Sequence, residues 1–138
     1  MIAYVDSSVL LRVVLRQPDQ LAEWSRLRQV IGSELVEVEC LRTLDRLRLR
    51  GRIPPEELVS RREAVFALLG EMRLVSVSRT VLVRASQPYP TPLGTLDAIH
   101  MATALALREA DSPDLFMATH DDALGLAARA SGLRVVGS

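Results

Sequence analysis

The sequence predicts an α/β fold, with a central, mostly parallel sheet covered on both faces by helices. Three observations carry that expectation. Short apolar runs alternate with helical patterns along the chain, the order that successive βα units produce. The runs at 2–5 and 115–118 are apolar at consecutive positions rather than alternate ones, as befits strands buried on both faces. Each gives way to a charged and hydroxylated stretch, Asp6, Ser7 and Ser8 after the first and Thr119, His120, Asp121 and Asp122 after the second, that opens a helix.

In chain order, the first strand occupies 2–5, and Ser7 and Ser8 serve as N-caps for a short helix over 9–15 that stops before Pro18. A second helix is expected from Asp19 to Gly32, with Leu21, Trp24 and Leu27 or Arg28 on successive turns, and Val30 and Ile31 adding a short strand at its end. Ser33 then caps a long helix that runs to about residue 50 and stops at Gly51. Its buried stripe is Leu35, Val38, Cys40 or Leu41, Leu44 and Leu47. Glu34, Glu37 and Glu39 crowd its first two turns, where the helix dipole favours anions. Pro54 and Pro55, followed by Glu56 and Glu57, begin a helix that ends at Gly70. Leu74, Val75 and Val77 make the next strand, and a helix over about 80–86 leads into PYPTPLGT, where three prolines exclude regular structure. Thr95 caps a helix beginning LDAIHMATALAL. The strand at 115–118, a helix over 123–130, the stop Gly132 and a strand over 133–136 complete the pattern, with no internal repeat.

A chain of 138 residues and 15.2 kDa suits one domain, 1–138, able to bury a core without disulfides. No apolar stretch approaches the roughly 18 residues of a membrane span, and no secretory signal is visible. Cys40 is the only cysteine, so there is no intrachain disulfide and no cysteine cluster for zinc, which fits a reducing cytoplasm. The formal net charge is zero, yet all 17 basic residues are Arg. Seven of them, Arg42, Arg46, Arg48, Arg50, Arg52, Arg61 and Arg62, fall within 42–62, a zone suited to phosphates or an acidic partner, or simply a solvated face. With only five aromatic residues, a platform for stacking bases is not expected.

Parallel strands share one polarity, so residues just past their ends lie along one edge of the sheet. Asp6 and Asp121 take that place. Asp97, in the first turn of its helix, and Glu39, in the second turn of its own, can point at the same edge. Four carboxylates gathered in a cleft raise one another's pKa unless a cation joins them, and all-oxygen ligation suits Mg²⁺ or Mn²⁺. Such a site can activate water for attack on a phosphodiester. No GxxxxGK[ST], GxGxxG or GxSxG motif is present, which excludes P-loop ATPases, dinucleotide-binding dehydrogenases and α/β hydrolases. An aspartyl phosphatase would carry a second Asp where this chain has Ser8.

Four motifs, YVDSS at 4–8, S-x-L-x-x-x-E-x-x-R at 33–42, PLGTLDAIHMATAL at 92–105 and THDDAL at 119–124, resemble those of PIN-domain ribonucleases, and more narrowly VapC toxins, in the family's order across nearly the full length. The resemblance implies a PIN-like three-layer α/β/α domain. It implies that Asp6, Glu39, Asp97 and Asp121 bind the metal, with Thr119 in support. It further implies an RNA substrate, a cognate VapB-like antitoxin and a homodimer. Where the family commonly has Tyr before its last acid this chain has His120, so Asp122 stands as the alternative to Asp121. His100 reads as a structural histidine or one that orders a carboxylate or the substrate. His120 could touch phosphate. The rival readings are an RNA-processing nuclease without an antitoxin and a nuclease-dead binding module; the retained acids oppose the second.

Overall fold

The structure, a computed structural model, describes residues 1–138. Five strands, β1 (Ile2–Val5), β2 (Gln29–Ser33), β3 (Arg73–Val75), β4 (Phe116–Ala118) and β5 (Arg134–Val136), form one sheet. Their order is β3-β2-β1-β4-β5, and every neighbouring pair is parallel. Six helices accompany them: α1 (Ser7–Val14), α2 (Leu35–Leu49), α3 (Pro55–Gly70), α4 (Arg79–Ala85), α5 (Thr95–Ala110) and α6 (Asp122–Ala130). None is long and apolar enough to cross a membrane.

β1 holds the centre, with Tyr4 opposite Ile31 on one side and Met117 on the other. Because successive side chains of a strand point to opposite faces, this one short strand feeds two cores. Ala3 and Val5 join Val9 and Leu10 of α1, Val36, Cys40 and Leu44 of α2, and Val65 and Leu69 of α3. Tyr4 faces the other way, into Met101 and Leu105 of α5 and Leu124, Ala127 and Ala128 of α6. Helices therefore cover both faces, and the three-layer α/β/α expectation holds.

The strand order also sets where a ligand can bind. From β1 the chain steps through β2 to β3 in one direction, then returns to lay β4 and β5 on the other side of β1. The crossovers diverge between β1 and β4, and the crevice beyond the carboxyl ends of strands at such a switch point is the binding place of open α/β sheets. Asp6 follows β1 and Thr119 follows β4, so both stand at that crevice.

Several local expectations are corrected. The helix expected over 19–32 is absent: a 3-10 turn, Trp24–Arg26, precedes β2, which is a full inner strand. Burial decides this, since Ile31, Gly32 and Ser33 are enclosed between β1 and β3. A Cβ on Gly32 would lie 3.1 Å from Met72 Cε and 3.3 Å from the Val5 carbonyl oxygen, so the strand needs glycine at its closest approach. Ser33 ends β2 instead of taking the N-cap position of α2, although its Oγ accepts the Leu35 N–H at 3.2 Å. The fully buried positions of α2 are Val36, Cys40 and Leu44, spaced by four, while Val38 is 51% exposed. β3 and α4 each begin one residue before their expected starts, and the cap of α4 is Ser78, whose Oγ accepts the Val81 N–H. Gly94, not Thr95, is the N-cap of α5.

Candidate active site

The acids that open the helices are themselves the caps. Asp6, rather than Ser7 or Ser8, is the N-cap of α1, and its Oδ1 accepts the Val9 N–H at 3.4 Å. Asp121 likewise caps α6, accepting the Leu124 N–H at 2.9 Å. A helix start leaves about four N–H groups without intrahelical partners, which a carboxylate answers with both charge and acceptor. The same requirement that ends each strand thus delivers a carboxylate to the crevice.

Asp6 is 4% exposed and is the most heavily tied of the four acids. Ser8 Oγ donates to its Oδ1 at 2.5 Å and Thr119 Oγ1 donates to its Oδ2 at 2.6 Å. Those two hydroxyls in turn accept backbone N–H groups of the β4–α6 turn: Ser8 Oγ from His120 across the crevice at 2.9 Å, and Thr119 Oγ1 from Asp121 within the turn at 3.0 Å. The start of α1 and the β4–α6 turn are thereby fastened to each other through Asp6. Burial pushes the Asp6 carboxyl above its ordinary value, and the two hydroxyls offset this only in part.

Asp97 lies in the first turn of α5, half-buried, and accepts no hydrogen bond from the protein. Its carboxyl is also raised, first by burial and then by the charges of Asp121, Asp6 and Glu39. Glu39, on the second turn of α2, receives the His100 Nε2–H on its Oε1 at 2.7 Å. Asp6, Glu39, Asp97 and Asp121 line one cleft of about 490 Å³, together with Ser7, Ser8 and His100. The structure thus brings together all four acids singled out in the sequence. Asp122 is exposed on α6 outside that lining, and Glu37 is exposed on α2.

No three His, Cys, Asp or Glu side chains stand close enough together to enclose one ion; the four acids ring the cleft. Their donor chemistry nonetheless fits a hard divalent cation, being all oxygen, with Asp97 and one oxygen each of Glu39 and Asp121 free of protein donors. A second cavity, of about 480 Å³ at the opposite edge of the sheet, has Glu71 as its only acid and offers no such set.

Other features escaped the sequence. Tyr4 donates its hydroxyl to His100 Nδ1 at 2.7 Å, a contact between residues 96 apart that no local pattern announces. Cys40 is inert core, its thiol pushed up to about 12 chiefly by burial. A groove of about 400 Å³ adjoins the cleft, sharing Ser7, Glu39 and Leu96 with it and adding Val38, Arg42, Thr43 and Arg46. His120 turns its Nδ1 to the Gly137 carbonyl oxygen at 3.0 Å instead of toward the cleft.

A wholly parallel sheet in this order, with acids converging at its switch point, is the arrangement of an α/β/α nuclease fold. Residues 3–129 match the PIN domain family, and the chain belongs to that family. Within it, the sequence is 33% identical over 137 residues to Ribonuclease VapC46 of Mycobacterium tuberculosis (strain ATCC 25618 / H37Rv), covering 96% of this chain and 95% of that one. Among solved structures the fold is similar to VapBC2 from Rickettsia felis bound to a DNA fragment from their promoter, with a TM-score of 0.66, 11% identity, and 98% of this chain and 97% of that chain covered. It is also similar to PAE2754 from Pyrobaculum aerophilum, with a TM-score of 0.63, 16% identity and coverage of 98% and 83%. A toxin–antitoxin complex from Klebsiella pneumoniae gives a TM-score of 0.57, 17% identity and coverage of 86% of each chain.

Proposed function

We propose that this VapC-type PIN domain is an endoribonuclease toxin that hydrolyses RNA with a divalent cation, Mg²⁺ or Mn²⁺, held by Asp6, Glu39, Asp97 and Asp121. The observation that carries the reading is the convergence of four carboxylates, from four separate elements, on one cleft at the switch point of the sheet. Support comes from the full-length likeness to a protein named as a ribonuclease. When bound, such a cation activates water and neutralises charge on the phosphoryl and leaving oxygens.

The residues divide the remaining work. Asp6 is fixed by Ser8, Thr119 and the Val9 N–H, so it offers a rigid donor that needs no reorganisation on binding. Asp97, free of protein donors and raised first by burial and then by its acidic neighbours, is relieved of that repulsion when a cation binds. Arg42 and Arg46, in the adjoining groove, bind phosphates flanking the scissile one. The chain acts on single-stranded or looped RNA in the cytoplasm, as a homodimer restrained by a small VapB-like antitoxin. Support for a partner comes from the neighbours: one is a toxin–antitoxin complex from Klebsiella pneumoniae and another is VapBC2 bound to a DNA fragment from their promoter.

The test is cleavage of single-stranded RNA by purified protein. Activity is expected with Mn²⁺ or Mg²⁺, and none with EDTA or in Asp6→Asn. Undiminished cleavage in excess EDTA would remove the cation from the reaction.

A further inference from the structure

Two buried polar side chains are spent on one of the four acids. His100 is enclosed, with 1% of its side chain exposed, and Glu39 retains 15%. The Tyr4 hydroxyl donates to His100 Nδ1 at 2.7 Å, and His100 Nε2–H donates to Glu39 Oε1 at 2.7 Å. The two rings meet edge to face, with centroids 5.8 Å apart at 66°. Tyr4 is fully buried in β1, the central strand of the five, so the chain of bonds begins in the middle of the sheet.

We propose that Tyr4 and His100 are positioning residues: a relay from β1 through α5 to α2 that fixes the Glu39 carboxylate for the divalent cation. The inference rests on the metal-site reading above and adds residues to it. The Glu39 carboxylate can only accept, so His100 bears its hydrogen on Nε2, and Nδ1 is left to accept the Tyr4 hydroxyl. One tautomer and one ring orientation result. Oε1 is then occupied, and Oε2 is left for a cation.

A histidine that merely filled the core needs only any acceptor for its N–H, and a backbone carbonyl would serve. Here the acceptor is a carboxylate lining the cleft, and the imidazole that holds it is itself held by a second buried group. Hydrogen bonds of this kind behind a ligating carboxylate fix its orientation, and their removal typically lowers metal affinity by about 10–100-fold.

The experiment measures Mn²⁺ affinity by calorimetry on purified protein without RNA, with melting curves to confirm folding. His100→Leu is expected to weaken Mn²⁺ binding by about 10–100-fold. Tyr4→Phe, which removes one oxygen and keeps the ring, weakens it by a few-fold, because the imidazole loses the hydroxyl that holds its Nδ1. His100→Gln, which retains an N–H donor, recovers most of the affinity that His100→Leu loses. Asp97→Asn serves as the control. If Asp97→Asn abolishes binding while Tyr4→Phe and His100→Leu keep wild-type affinity, the relay is overturned and the metal site stands. Wild-type protein that binds no Mn²⁺, or an Asp97→Asn variant that binds it unchanged, overturns the metal site and the relay together.

Discussion

Asp6 caps a helix, anchors two hydroxyls and brings a charge into a nearly dry site, and Asp97 adds a second charge with no donor to steady it. Both carboxyls are raised in the folded protein, so between their ordinary value and their raised one the folded state holds more protons than the unfolded state. Their contribution to stability without metal therefore falls as pH rises through that window and levels off above it. The exposed Asp45 and Glu109, lowered by bonds to Arg48 and Arg84, act in the opposite sense. The comparison is accordingly a difference between variants: Asp97→Asn, in EDTA, is expected to match or exceed wild-type stability near neutral pH and to lose part of that advantage on acidification. Metal reverses the ranking. A ligand at a hundredfold its dissociation constant stabilises by about 2.7 kcal/mol, several degrees in Tm for a domain of this size, and Asp97→Asn should gain much less. A variant that melts lower without metal and keeps the full metal-induced gain would make Asp97 a plain structural residue. The four acids were legible because each stands in the opening turns of a helix, or directly before one, with an apolar strand, loop or cap signal ahead of it. That His100 orders a carboxylate was among the readings of the sequence, but its bond to Tyr4 was not legible, because a contact across 96 residues leaves no spacing to read.

At the scale of elements, the strands ending in acids and the long helices could be read from apolar runs and caps. β2 could not be read in full, since Leu21, Trp24 and Leu27 recur at helical spacing while only Val30 and Ile31 carry a strand preference. Its enclosure between β1 and β3 overrides the local pattern, and Gly32 is where that enclosure is tightest. Gly32→Ala is expected to cost about 1–3 kcal/mol, the range for overfilling a packed interior, because the Met72 methyl can yield and the Val5 carbonyl cannot. Denaturant midpoints at unchanged m-value would measure it. A second misreading concerned α2: the residue predicted to be core, Val38, lies outside beside Arg42 and Arg46. In that groove two arginines of the basic zone, Arg42 and Arg46, stand beside the cleft, the place proposed above for flanking phosphates. Replacing Arg42 and Arg46 together by Ala should weaken RNA binding and reduce the salt slope by about 1.4, since each lost single-strand phosphate contact removes about 0.7. An unchanged slope would assign both arginines to the surface or to the antitoxin; a loss of antitoxin affinity in the same variant would decide for the second.

For the whole molecule, the expected phenotype follows from an active cleft without its restraint. Induced expression should arrest growth of a bacterial host, and Asp6→Asn at equal protein level should relieve the arrest. Equal toxicity of that variant would dissociate the arrest from RNA cleavage. The bond between Thr119 and Asp6 spans 113 positions of the sequence, and β1 waits for β4 across a similar distance. During synthesis, therefore, the first carboxylate emerges long before the hydroxyl and the last acid that complete its surroundings. A ribosome can carry Asp6 and Glu39 outside its exit tunnel while the cleft still lacks one wall. Released chains truncated after α5 at Ala110 should accordingly be inert toward RNA, and cleavage by such chains would refute this. Until the β4–α6 turn joins the other acids, a growing chain is expected to leave the RNA around it uncut.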